Sequence, residues 1–195
     1  MADTVPTEAE AEIAEAVRAA LAEHGYARLT TAAIAAESSK TEAGLYYHYD
    51  SKDEMVAAFL DGATGYLKRE LEELSATDPE GRLREACDRL FVAADDDRRR
   101  GTNIAVMELL AHAPHNETLR GPLLELEAAN LAVLEDIVAA GVEAGDFRPV
   151  DARGVAAFLL AAANGSTGFY LALGMDDVGE PLHAQVDAYI DSLLA

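Results

Sequence analysis

The chain has 195 residues, half of them apolar, and its 36 acidic side chains outweigh 15 basic ones for a formal charge of -21. This length and apolar content allow a sizeable core and exclude a chain that is disordered as a whole. No run of about 18 uncharged apolar residues is present to span a membrane, and MADTVPTEAEAEIAEAV lacks the basic flank and apolar run of a signal peptide, so a cytoplasmic protein is expected.

Pro and Gly fall between apolar blocks and strict alternation is absent, which predicts an all-α chain of about nine helices. The first covers Glu8 to His24, with Ile13, Val17 and Leu21 on one face and Gly25 in place for a left-handed C-terminus. The second begins near Thr31, capped by Thr30 or Thr31, and turns Ile34 and Ala35 inward. Ser38 to Lys40 form a turn before a third helix from Thr41 to Tyr47. The fourth runs from Ser51 to about Leu74, opened by a capping box in which Ser51 caps the Glu54 amide and the Glu54 carboxylate reaches back.

Asp78-Pro79 opens the fifth helix, with Leu83, Cys87, Leu90 and Phe91 on its buried side. Cys87 is the only cysteine, so no internal disulfide forms, and it reads as a small buried apolar residue. Asp95 to Arg100 reads as a solvated loop. The sixth helix is expected over Thr102 to His112. The seventh starts at Gly121-Pro122, carries Leu123, Leu126, Leu131, Leu134, Ile137, Val138 and Val142, and ends at Gly145. Asp151 caps an eighth to about Leu173, lined by Ala161, Ala162, Ala163, Gly165 and Gly168. Pro181 opens a ninth, with Leu182, Val186, Ile190 and Leu193 in one stripe.

Two short helices joined by about three residues are the minimum device for laying one helix across the phosphates and the next in the major groove of double-stranded DNA. Leu45 and Tyr49 anchor the second of them, leaving Thr41, Glu42, Tyr46 and Tyr47 on another face. The hydroxyls of Thr41, Tyr46 and Tyr47 can donate to phosphate without a positive charge, and Lys52 adds an ammonium in the first turn of the next helix. His48 can donate to phosphate or a base edge. Core packing is the alternative for Tyr46 and Tyr49, and solvation for His48.

The run LYYHYDSKDEM resembles the signature of the TetR family of transcriptional regulators, with Ile34-Ala35, the turn at Ser38 to Lys40, Leu45-Tyr46, Tyr49 and Ser51-Lys52-Asp53 in the corresponding places. The close match covers the first quarter to third of the chain, and GVEAGDFRPVD is a family-like connector further on. The resemblance implies residues 1–50 as a helix-turn-helix DNA-binding domain and 51–195 as a helical effector-binding and dimerisation domain. It gives Thr30, Thr41, Glu42, Gly44, Tyr46, Tyr47, His48 and Lys52 as DNA-binding candidates. Three places depart from the family: Ser39-Lys40 where glycine and an aliphatic residue are usual, Glu42 where a basic or small residue is common, and Gly44 for a hydroxyl residue. Glu42 either accepts from a cytosine amino group or repels phosphate.

The family also implies dimerisation through the last two helices, a small-molecule effector and no cofactor. The small-residue face of the eighth helix and the stripe of the ninth suit a dimer seam, with packing inside one chain as the alternative. Polar or polarisable residues in apolar helices are the effector candidates: Tyr66, Phe91, Met107, His112, Asn130, Asn164, Phe169 and Tyr170. Glu108, His112 and His115 supply no third fixed metal ligand. The function implied is a ligand-responsive repressor, homodimeric on a palindromic operator, relieved when effector binds. The alternative is a helical interaction module that has lost DNA binding. No phosphate loop, nucleophile elbow or paired-histidine motif points to an enzyme.

Lysine occurs only at Lys40, Lys52 and Lys68, and so acidic a surface suits concentrated salt, which points to a halophilic source. If about six phosphates were neutralised by cations, counterion release would cost roughly 10⁷-fold in affinity between about 0.1 and 2 M salt. Hydroxyl and amide contacts are therefore expected to carry more of the binding than cations.

Overall fold

The computed structural model describes residues 7–91 and 97–195, which form nine α-helices and no named strand among the described residues. No described helix is long and apolar enough to cross a membrane. The helices are α1 (Glu8–His24), α2 (Thr31–Ala36), α3 (Glu42–Tyr46), α4 (Lys52–Glu72), α5 (Pro79–Leu90), α6 (Asp97–His112), α7 (Glu117–Ala144), α8 (Ala152–Ser166) and α9 (Asp176–Asp191). They group into two compact units, Met1–Tyr66 with Gly101–Leu126, and Leu67–Arg100 with Glu127–Ala195.

In the first unit the α1 stripe of Ile13, Val17 and Leu21 is buried with Ile34, Leu45, Met55, Val56 and Leu60, as the helical spacing requires. A capping box starts α1: the Thr7 hydroxyl oxygen accepts from the Glu10 amide while the Glu10 carboxylate accepts from the Thr7 amide. Gly25 follows α1 at φ 69° and ψ 163°, a positive φ with an extended ψ rather than the left-handed helical pair expected. A short 3₁₀ turn, Tyr26–Arg28, leads on to α2.

The second unit has its own core, in which Leu83 and Cys87 of α5 and Phe91, just past its end, cluster with Leu134 and Val138 of α7, Leu159 of α8 and Ile190 of α9. Burial pushes the Cys87 thiol up to about 12, so it is held as the neutral thiol. Arg84 of α5 bridges Glu80 (2.9 Å) and two α9 carboxylates, Asp187 (2.9 Å) and Asp191 (2.5 Å). Gly145, at φ 82°, ends α7 where it was expected to. The chain end is fastened beside it: the Arg148 amide donates to the Leu193 carbonyl at 2.8 Å and the Ala195 amide to the Asp146 carbonyl at 3.1 Å.

Four helix expectations need correction. Asp97–Arg100 is not loop but the first turn of α6; Asp95 and Asp96 lie outside the described residues. α7 begins at Glu117 rather than at Pro122, because the Asn116 side-chain oxygen accepts from the Thr118 (3.1 Å) and Leu119 (3.3 Å) amides and so starts the helix earlier. α9 likewise begins at Asp176, with Pro181 inside it. Both prolines sit in the second turn, where each helix has already been nucleated. The eighth helix does not run unchanged to Leu173: it gives way at Thr167 to a wider π-helical segment, Thr167–Ala172.

The α9 stripe also differs in role from the one expected. Val186, Ile190 and Leu193 are core residues of their own chain and are not available as a seam. Exposed small or apolar residues remain on both helices, Ala157, Phe158 and Ala161 on α8 and Ala184 and Ala188 on α9, beside exposed polar ones such as Asn164, Gln185 and Asp187.

Candidate nucleic-acid interface

α3 is short, and its N-terminus is fixed by Thr41, whose hydroxyl oxygen accepts from the Gly44 amide at 3.2 Å. The hydroxyl proton stays free to donate outward. Thr30 caps α2 in the same way, accepting from the Ala33 amide at 3.1 Å, which decides between the two threonines left open by the sequence. Leu45 is fully buried and Tyr49 half-buried, so they hold the α3 end of the motif. Burial, with the Glu10 and Asp61 carboxylates nearby, raises the Tyr49 phenol above its ordinary range.

The turn is held from outside itself. Glu12, on α1, accepts from both the Ser39 amide (2.8 Å) and the Ser39 hydroxyl (2.6 Å) through one oxygen, and its other oxygen pairs with the Lys40 ammonium at 3.1 Å. No described residue other than glycine has a positive φ, so Ser39 sits without strain where the family commonly has glycine. The Ser39 hydroxyl and amide, then Lys40, push the Glu12 carboxyl down from 4.5 to about 2. A carboxyl depressed on folding stabilises the clasp above its unfolded range, and that stabilisation is lost as pH falls through about 2. An NMR titration of the Glu12 side chain should therefore show a midpoint near 2, moving back toward the ordinary 4.5 in Ser39→Ala. A midpoint that does not move would mean that Ser39 does not hold it.

Tyr46 and Tyr47 both face solvent, 49% and 85% exposed, so Tyr46 does not take the core-packing alternative, whereas the half-buried Tyr49 does in part. His48 is also exposed and meets the Tyr47 ring edge-on at 5.3 Å. The Glu42 carboxylate accepts from the Thr31 hydroxyl at 2.8 Å, which ties the start of α3 to the start of α2. At the start of α4 the Ser51 hydroxyl oxygen accepts from the Glu54 amide (3.1 Å), while the Glu54 carboxylate reaches one residue further back than a capping box requires, to the Asp50 amide (2.8 Å). Lys52 places its ammonium over the Tyr26 ring, 4.4 Å from the centroid.

Comparison with known proteins gives this geometry its setting. Two family models match, "Bacterial regulatory proteins, tetR family" over residues 13–59 and "BetI-type transcriptional repressor, C-terminal" over residues 79–195. A TetR transcription regulator from Haloarcula marismortui is 30% identical in sequence, with 96% of this chain and 99% of that chain covered at a TM-score of 0.86. The chain belongs to the TetR family of transcription regulators.

Two further solved structures share the TetR fold. A transcriptional regulator from Saccharomonospora viridis in complex with choline is 20% identical, covering 97% of this chain and 98% of that one at a TM-score of 0.81. FadR from Bacillus subtilis in complex with stearoyl-CoA is 18% identical, covering 95% and 97% at 0.75. A search of curated proteins returned no match. The matched models and these neighbours are transcription regulators, and α2 and α3 lie within residues 13–59, the stretch matched by the tetR-family model with its DNA-binding helix-turn-helix.

The effector candidates of this regulator fall in both units. In the first, Tyr66 is 54% exposed, Met107 is half-buried, and the His112 ring packs against Tyr26 at 4.7 Å. Glu108, one helical turn before His112, accepts from the Ala27 amide at 3.3 Å. In the second, Phe91 is buried and meets His183 edge-on, and Asn130 is buried at 7% exposure. Asn164 is exposed and donates to the Glu127 carboxylate at 3.2 Å. Phe169 is 55% exposed, and Tyr170 lies against Gly179.

The sequence reading missed Glu12, Tyr26, Asn116 and Glu127. Glu12 and Asn116 are polar residues of helix surfaces or boundaries, with partners far away in sequence. Glu127 carries a signal only in three dimensions, where burial raises its carboxyl against the pull of the Asn164 amide.

Proposed function

We propose that this regulator is a ligand-responsive repressor, cytoplasmic, that acts as a homodimer on a palindromic duplex operator. The observation that carries the reading is the mounting of α3: a threonine-capped helix, its turn clasped by Glu12, offering the exposed rings of Tyr46 and Tyr47. Residues 1–50 read DNA, through Thr30, Thr41, Gly44, Tyr46, Tyr47, His48 and Lys52, with Glu42 ordering the helix start. Residues 51–195 bind the effector and dimerise. The exposed small face of α8, around Ala157 and Ala161, supports a close helix-to-helix seam between two copies.

The neighbours solved with choline and with stearoyl-CoA differ in ligand charge and size, so the effector of this chain is set by its own residues: Tyr66, Phe91, Met107, His112, Asn130, Asn164, Phe169 and Tyr170. Effector binding favours one of two arrangements of the chain and so changes the separation of the two reading helices. In the free dimer that separation fits the half-sites, and effector relieves repression.

The acid load supports a reader that works in concentrated salt through hydroxyl and amide donors. With Lys40 engaged by Glu12, binding should depend on salt less steeply than counterion release by about six cations requires. Selection from a random duplex pool at high potassium should return a palindrome bound by two chains, with a shallow salt slope in titration. A steep negative slope would overturn the salt argument. A folded dimer that selects no duplex at any salt would instead favour an interaction module.

A further inference from the structure

Three side chains spaced four residues apart, Glu108, His112 and Asn116, all reach the bend between α1 and α2. Glu108 accepts from the Ala27 amide, His112 packs at a tilt against the Tyr26 ring, and the Asn116 amide donates to both the Tyr26 hydroxyl (3.2 Å) and the second Asp53 oxygen (2.8 Å). The Tyr26 hydroxyl closes the ring by donating to the first Asp53 oxygen at 2.8 Å. Burial first, then Asp53, push the Tyr26 phenol up to about 12, so it remains a donor across the working pH range. On its other side the Asn116 oxygen caps α7 through the Thr118 and Leu119 amides.

Asn116 therefore has every polar atom engaged, with its oxygen in α7 and its amide nitrogen in the reading head. Tyr26 is not a passive core ring either, because its face carries the Lys52 ammonium. Asp53 is the next residue after Lys52 and is held by the same amide. An error in the Tyr26 ring plane or in the Asp53 side chain would move the ammonium in the first turn of α4.

We propose that Asn116 is a positioning residue for DNA binding, one that aims the Lys52 ammonium at phosphate by clamping Tyr26 and Asp53 to the start of α7. This rests on the reading of the chain as a DNA-binding regulator, but the clamp has a signature that needs no DNA. The Tyr26 ring current should shift the terminal methylene protons of Lys52 upfield, and that shift reports the cation's place over the ring.

The network has a donor–acceptor polarity that can be inverted. In Asn116→Asp the helix cap is kept, since aspartate caps as well as asparagine, but both amide donations are lost and a carboxylate faces Asp53. The Lys52 shift should collapse toward its free value, and affinity for a duplex selected by the wild-type protein should fall roughly tenfold to 100-fold, as expected for lost hydrogen bonds to a charged group. Adding Asp53→Asn to Asn116→Asp exchanges donor for acceptor around Tyr26 and should restore both readouts most of the way, a recovery that general destabilisation would not give.

If Asn116→Asp does not fold, Asn116→Ser carries the test, because serine caps the helix but is too short to reach Tyr26. Wild-type values of the Lys52 shift and of duplex affinity in the folded variant would overturn the proposal. So would a folded double variant no closer to wild type than the single one. If the wild-type protein selects no duplex, the DNA-binding reading fails, and with it the role given to Asn116, while the Lys52 shift still reports whether the clamp exists.

Discussion

Replacing Tyr47 with alanine should weaken binding to a selected operator roughly 100-fold while leaving the thermal unfolding curve in place. The ring is 85% exposed and meets His48 edge-on, so its removal should change stability by no more than about 0.5 kcal/mol. At phosphate, a phenol donating to a charged oxygen contributes about 1.5 kcal/mol or more, and a dimer loses that contact at both half-sites. Tyr47→Phe separates the hydroxyl from the ring: if donation is what matters, phenylalanine should lose most of what alanine loses. Unchanged affinity in Tyr47→Ala, measured by titration with labelled duplex, would remove this residue from the interface.

Gly141→Ala should have the opposite profile, with a large loss of stability at a site remote in sequence from the reading helix. A methyl group built there would lie 2.2 Å from Cδ2 and 2.5 Å from Cε2 of Phe147, whose side chain is 1% exposed in the core of the second unit. The ring has little room to retreat, because the Asp146 and Phe147 amides both donate to the Gly141 carbonyl at 3.0 Å. Overpacking of this kind costs about 2–3 kcal/mol, or a fall of roughly 4–12 °C in Tm for a chain of this size. A calorimetric scan within a degree of wild type would show that the ring can move aside. Phe147→Ala relieves the clash but opens a cavity, so it should destabilise by about 3–5 kcal/mol on its own account.

The two sites differ in how legible they were. The reading helix is local in its signals: Thr41 and Ser51 announce helix starts because a hydroxyl reaches amides only three residues on, and Leu45 is marked by its spacing from the aromatic run. The stripes of α1 and α5 were legible for the same reason, since one face of a helix must be buried wherever the helix goes. The GDFRPVD connector was readable as a stop, but not as a close approach. Nothing in the string Gly141 to Phe147 says that the phenylalanine folds back over the glycine.

Where local signals competed, the sequence reading chose wrongly. Gly121-Pro122 and Pro181 are strong helix-start signals, yet both lie in the second turn of helices begun further upstream. The quieter cap, Asn116, prevailed because its oxygen meets two amides while its nitrogen is held by Tyr26 and Asp53. The α9 stripe was correctly seen as apolar, but an apolar stripe does not say whether its own chain or a second copy will cover it. Its own chain does.

The sequence by itself determined the helical class and the position of the short helix α3, because capping and 3.6-residue periodicity act over one or two turns and survive in the string, while the run LYYHYDSKDEM carried the resemblance to the family. Only the tertiary structure decided what holds that helix in place. Glu12 finds Ser39 across 27 residues and Asn116 finds Tyr26 across 90. A hydrogen bond needs two groups within about 3 Å at the right angle, and that is a condition on space which spacing along the chain does not carry.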